Sequence, residues 1–359
     1  MTPALLDIDP GRELDLEPVE ELTVTTLVDN HVDQMLPDVG DVRRFPLVGP
    51  GSVVVSTQVL EHGEGVDALR AEHGFACLIA VTVKGRTHRL LYDAGLSPDG
   101  LIENMRRLEV QPGDIEMVVL SHGHPDHVTG LDGLLRELGR NALPLVVHPD
   151  LWLRRRVTID GHDPLELPLL SRSVLDQAGL AIVDRAVPSL VLDRAVLVTG
   201  EVARASPFES GFPGHQTLRE GRWSDDPWIL DDQAIVVHVR GRGLVVVTGC
   251  GHAGVVNIVE HARALTGVPA VDSLIGGFHL SGPAFSSQVE PTIEYLRSLA
   301  PRLVVAGHCT GWEVTHRLAD DLSGTVLPNT VGTRVTVRAP TAGESSDEMD
   351  EVEGSHGDR

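Results

Sequence analysis

Cysteine is scarce in this chain. Cys77, Cys250 and Cys309 are its only three, an odd and sparse set that makes no disulfide framework, so the expectation is a reduced, cytoplasmic protein. Aromatic residues make up 3% of the sequence, which leaves the core to Val, Leu, Ile and Ala. No stretch approaches the ~18 apolar residues that would cross a membrane, and no basic segment leads into an apolar run near Met1 as a secretory signal would. Positive charge is short as well. With a formal net charge of −23 the chain is not expected to bind nucleic acid, which is held by neutralising its phosphates with Lys and Arg. A small-molecule substrate is the expected partner.

What remains is an ordinary globular composition, 42% hydrophobic and 23% charged over 359 residues, enough for one large domain or two smaller ones with a substantial core. Residues 1–20 read as an acidic arm, and 339–359, rich in Gly, Ser, Asp and Glu, as a disordered acidic tail. Between them, residues 22–28 alternate like a first strand, and 31–72 read as a long loop punctuated by proline and glycine. Two hairpins follow, 75–83 with 88–92 and 234–239 with 244–247, each leading into a helix and a further strand. This repeated rhythm predicts an α/β fold with its strand ends gathered along one edge. Residues 150–231 interrupt the rhythm as an insertion. Trp152, Arg154, Arg155, Arg156, Trp223 and Trp228 make it either a substrate lid with aromatic and basic contacts or a surface insertion whose tryptophans pack on the core.

The densest chemistry follows the short apolar run 117–120, in Ser121-His122-Gly123-His124-Pro125-Asp126-His127. Along extended chain His122 and His124 point to the same side and are able to grip one ion. Asp126 and His127 come after a proline that bends the path and face a second position. A capping loop with exposed histidines is the plainer alternative, but four potential ligands within six residues is denser than capping requires. His252, His279 and His308 stand at later strand ends and are candidates to complete the site. Asp93, at the end of the first hairpin, is placed to orient a ligand imidazole.

His122, His124, Asp126 and His127 match the His-x-His-x-Asp-His signature in full. Together with Leu91-Tyr92-Asp93-Ala94-Gly95, Gly249-Cys250-Gly251-His252, Gly276-Gly277-Phe278-His279 and Gly307-His308-Cys309, they make a chain that resembles the metallo-β-lactamase superfamily over about residues 22–338. The branch it resembles is commonly labelled as similar to the 7,8-dihydropterin-6-yl-methyl-4-(β-D-ribofuranosyl)aminobenzene 5′-phosphate synthase of pterin biosynthesis. The resemblance implies an α/β fold, an αββα sandwich spanning residues 21–338 with the insertion at about 150–231, and metals at one edge of its sheets. It implies His122 and His124 on one ion and Asp126, His127 and His308 on the other. Where the superfamily carries a bridging aspartate, this chain has Gly249-Cys250 and then His252. His252 is the expected ligand and Cys250 a lesser candidate, with a small buried apolar role the alternative for Cys250 and Cys309. Catalytic work falls to Asp126 and to His279, as a ligand or general acid; Asp93, Cys250, His148 and His73 are candidates to contact ligands or substrate. Two divalent ions are implied, zinc first with iron or manganese as alternatives. The expected function is attack by a metal-activated hydroxide on an ester-type small molecule such as a phosphodiester or lactone, pterin-pathway substrates included. An iron-dependent oxidoreductase and a non-catalytic metal- or metabolite-binding sensor are the alternatives.

Overall fold

The computed structural model describes residues 13–46, 53–139 and 142–341. Most of the acidic tail expected at 339–359, and the first twelve residues of the arm, lie outside the described residues.

Period-two alternation along the strands builds the layers. In Met117–Val119 the side chain of Val119 enters the core between the sheets while Val118 faces the opposite way, and in Pro144–Val147 Val146 alternates with Leu145 and Val147 in the same manner. The second sheet mirrors this, with Val245 and Val247 facing the shared core and Leu244 and Val246 turned outward. Strands apolar on both faces are buried on both faces. Helices Gly100–Arg107 and Leu131–Leu138 cover the first sheet, and Val255–Thr266, Ser286–Leu299 and Trp312–Asp321 cover the second. The result is an αββα sandwich.

The eight-stranded sheet runs Ala181–Asp184, Pro144–Val147, Met117–Val119, Arg86–Tyr92, Ala76–Val83, Glu21–Val28, Arg334–Arg338, Val42–Arg43. The seven-stranded sheet runs Ser189–Val191, Val196–Val198, Ile235–Val239, Gly243–Thr248, Val271–Gly276, Leu303–Ala306, Val326–Pro328. In each, a hairpin feeds a set of parallel strands, so the expected near-duplication is present. The parallel strands end at Asp93, Ser121, His148, Gly249, Gly277 and Gly307, which brings the polar loops to one edge.

Two segments pack differently from their sequence reading. Residues 13–20 do not stand free as an arm: Leu14, Leu16 and Val19 are buried, and Leu14 N and Val19 N donate to Leu265 O and His238 O. Their apolar residues, interleaved with acids, cover a sheet margin. Within 150–231, Ala181–Asp184 and the pair Ser189–Val191 and Val196–Val198 are edge strands of the main sheets. The true appendage is a four-stranded sheet ordered Leu165–Glu166, Arg155–Val157, His215–Arg219, Arg222–Asp225.

Tyr92 ties the two strand-end clusters together. Its buried hydroxyl donates to Gln233 O at 2.7 Å and accepts from Gly249 N at 3.1 Å. Tyr92→Phe leaves both backbone groups unpaired, and urea titration is expected to show a loss of about 1–3 kcal/mol. An unchanged midpoint would contradict this role.

Candidate metal centre

The loop after Met117–Val119 is held from below. Asp93 Oδ1 accepts from Ser121 N at 2.6 Å, and Asp93 Oδ2 accepts from Ser121 Oγ at 2.7 Å and faces His127 Nδ1 at 2.7 Å. Ser121 Oγ in turn lies 2.8 Å from His122 Nδ1. Because the serine hydroxyl donates to Asp93, it accepts from His122 Nδ1–H, which leaves the lone pair on His122 Nε2 facing inward. Gly249 packs against this group, and a Cβ there would overlap Ser121 and Asp93.

The same logic fixes His124 and His308, whereas the buried Nδ1 of His252 has no hydrogen-bond partner. His215 receives the outer nitrogen of His124, Nε2 to Nε2, at 3.2 Å, and its own Nδ1 donates to Asp226 O at 2.9 Å. His308 Nδ1 donates to Asn30 Oδ1 at 3.1 Å. The inward nitrogens then converge: His122 Nε2 lies 2.9 Å and His252 Nε2 3.2 Å from His124 Nδ1. A few ångströms away, His127 Nε2 and His308 Nε2 are 3.2 Å apart, and Asp126 Oδ2 is 3.4 Å from His308 Nε2 and 3.7 Å from His127 Nε2. Cys250 Sγ stands between the two groups, 3.2 Å from both His127 Nε2 and His308 Nε2. Its sulfur is within 4.8 Å of ligand atoms of His122 and His252 on one side and of Asp126, His127 and His308 on the other.

Nitrogen separations of about 3.3 Å are what a tetrahedral ion with bonds of 2.0–2.1 Å requires, so the donor set fits divalent cations. The electrostatics agree. Burial first, and neighbouring basic groups second, push His122, His124, His252 and His308 well below the usual imidazole range, keeping them in the neutral form that a metal ion requires of an imidazole. His127 differs: burial lowers it, but Asp126 and Asp93 outweigh burial and raise it to about 9, so a cation binding there displaces its proton. Burial pushes the Cys250 thiol up, so ligation there likewise requires loss of a proton. Asp93, His279 and His308 adopt positive φ at their strand ends, a conformation non-glycine residues hold only under surrounding constraint.

The remaining predicted residues are placed as follows. His279 lines the cavity above the cluster, its ring centroid 4.1 Å from that of His252, and its buried Nδ1 has no hydrogen-bond partner. His279, Cys250 and Cys309 form a further convergent group. His73 sits at the rim, 3.6 Å from Asp126 Oδ2 and largely exposed. His148 is not brought in. It ends a parallel strand like the others, but one strand farther from the sheet centre, and its Nδ1 accepts from Asp150 N at 3.1 Å. His215 escaped the sequence reading because it comes from the appendage, with no motif around it. The cavity over the cluster has a volume of about 770 Å³, in the range of small-molecule sites.

Comparison with known proteins matches residues 74–266 to the family model of the metallo-beta-lactamase superfamily, a span that carries the His-x-His-x-Asp-His loop, Cys250 and His252. The chain belongs to the metallo-beta-lactamase superfamily. Within it, the chain is 27% identical over 259 residues to the 7,8-dihydropterin-6-methyl-4-(beta-D-ribofuranosyl)-aminobenzene-5'-phosphate synthase of Methanocaldococcus jannaschii, covering 70% of this chain and 85% of that protein. It is 29% identical to an uncharacterized protein of the same organism, over 69% of this chain and 88% of that one. Among solved structures, Tm1679, described as a metal-dependent hydrolase of the beta-lactamase superfamily, superposes with a TM-score of 0.64 at 21% identity, over 88% of this chain and 99% of that one. That likeness establishes the metallo-beta-lactamase fold. Among the described residues no helix is long and apolar enough to cross a membrane.

Beneath the metallo-beta-lactamase loop, Asp93 orients His127 directly and His122 through Ser121. Asp93→Asn is expected to lower metal affinity by about 10–100-fold with little loss of fold, read by metal titration against a competing chelator. Unchanged affinity would show that Asp93 does not set the His127 tautomer.

Proposed function

We propose that this protein is a metal-dependent hydrolase acting on ester-type small molecules. The observation that carries the reading is the convergence of six histidine and aspartate donors, in two groups either side of Cys250 Sγ, on the floor of an open cavity. In this reading His122, His124 and His252 hold one divalent ion, Asp126, His127 and His308 hold the other, and Cys250 faces both in place of the superfamily's bridging aspartate. A thiolate among imidazoles favours zinc first and iron second, and disfavours manganese. When bound, such ions acidify water towards neutral pKa and draw off the charge that develops on a substrate oxygen.

The chain supplies the rest. Asp93, Ser121, His215 and Asn30 hold the imidazole tautomers that present lone pairs inward. His279, which lines the cavity beside His252, is placed to hold a proton for the leaving group. Phe212, stacked on His252 with ring planes 7° apart, keeps water from that side of the cluster.

The test couples elemental analysis of the purified protein to a substrate panel of carboxylic and thio esters, lactones, phosphate monoesters and cyclic or linear phosphodiesters. Tight zinc or iron is expected, with turnover of at least one class lost together with metal in His124→Ala. Turnover that survives both chelation and His124→Ala would overturn the reading, as would iron with oxygen- or thiol-dependent turnover and no hydrolysis.

A further inference from the structure

The appendage forms a roof over the metal cluster, and its inner face is graded. His215, Val157 and Leu165 pair directly across three antiparallel strands, so their side chains share one face. His215 sits against His124, while Val157 and, one strand beyond it, Leu165 and Leu167 line the cavity. Across the cavity stands Trp312, at the first residue of helix Trp312–Asp321, with the His316 ring centroid 4.1 Å from its own. Trp312 is 67% exposed and Leu165 59%. Large apolar residues left open at the mouth of one cavity mark a surface waiting for an apolar partner.

The arginines of the appendage are turned elsewhere. Arg154 and Arg156 lie against Trp223 on the outer face and bond Glu166 and Gln216, and Arg155 is buried with its Nη2 2.6 Å from Asp231 Oδ1 and does not line the cavity. Among the described residues lining the cavity there is no lysine or arginine; the basic side chains at its rim are the imidazoles His31 and His73. An anionic group away from the metal cluster therefore meets no guanidinium or ammonium, whereas carbon meets Val157, Leu165, Leu167 and Trp312.

We propose that the substrate carries an uncharged apolar chain or ring that lies along the Val157–Leu165 row opposite Trp312, its ester-type centre at the His124 and Cys250 end. This class excludes substrates whose distal end is a phosphate, such as the phosphorylated compound in the name of the Methanocaldococcus relative. The proposal rests on the hydrolase reading for the word substrate, but the apolar subsite is testable without turnover.

The experiment is calorimetric titration of the zinc-loaded full chain with butanoate, hexanoate, octanoate and 6-phosphonohexanoate, alongside hydrolysis of 4-nitrophenyl esters of the three unsubstituted acids. Affinity is expected to rise about 3- to 4-fold per methylene group, with no gain from the phosphonate. Trp312→Ala is expected to cut that increment to about 2-fold or less. Leu165→Arg, at an exposed position, is expected to reverse the preference in favour of 6-phosphonohexanoate. A length-dependent affinity without hydrolysis of these esters or of any other class in the panel supports the subsite and defeats the hydrolase reading. Hydrolysis with affinity independent of chain length, or tighter binding of the phosphonate by the unsubstituted protein, overturns the proposal and leaves that reading standing.

Discussion

Cys250→Ala protein is expected to lose turnover by at least about 100-fold, the upper end of what even an outer partner of a metal ligand costs, and to retain less metal after dialysis. The reason is position. Cys250 Sγ is 3.2 Å from both His127 Nε2 and His308 Nε2 and takes part in all three convergent donor groups found among the described residues. No other side chain there does so. Cys250→Asp is the informative companion, because it puts a carboxylate between the two donor groups; it is expected to recover metal content more fully than activity. Metal analysis and steady-state assays of both variants check this. Full activity in Cys250→Ala would reduce Cys250 to the small buried apolar residue that its sequence context also allows.

Asp231→Ala is expected to cost about 3–5 kcal/mol of folding stability, because it strands a buried guanidinium. Arg155 Nη2 lies 2.6 Å from Asp231 Oδ1, and the two side chains are 2% and 0% exposed. Asp231 Oδ2 also accepts from Gly123 N at 2.8 Å, inside the metal loop itself. Arg155 leaves no room at Gly123 for a Cβ. One ion pair thus clamps the appendage, the second sheet's approach and the His122–His124 turn together. The double variant Asp231→Leu with Arg155→Met removes both charges and is expected to recover a large part of the loss, since the penalty lies in the unpaired charge. Chemical denaturation of the single and double variants measures it; a loss below about 1 kcal/mol, the scale of a surface pair, in Asp231→Ala would show that the clamp contributes little.

The parts legible in the sequence are those that local pattern encodes. His122, His124, Asp126 and His127 announce themselves by density, and the layers by the alternation of Val, Leu and Ile along strands. His252, His279 and His308 were reachable because the same strand-then-glycine context recurs. His148 shows the limit of that rule: it ends a strand in the same way, yet its strand lies farther from the sheet centre, and order within a sheet is a long-range property. His215 meets His124 across 91 residues of chain from an appendage with no periodic signature. The sequence makes Cys250 only a lesser candidate, because a lone cysteine after an apolar strand fits the core equally well, and its central place emerges when both sheets are assembled. The arginine and tryptophan cluster of the insertion is open to a reading as substrate contacts or as a surface insertion, and cross-strand pairing turns Arg154, Arg156 and Trp223 outward, leaving Val157, Leu165 and Leu167 inside.

The most direct test of a thiolate-containing metal centre is X-ray absorption at the zinc edge of the zinc-loaded protein. The expected spectrum has nitrogen and oxygen neighbours at about 2.0–2.1 Å together with sulfur at about 2.3 Å, and the sulfur shell disappears in Cys250→Ser. A shell of nitrogen and oxygen alone, or a sulfur shell that survives in Cys250→Ser, would contradict the proposed ligation by Cys250.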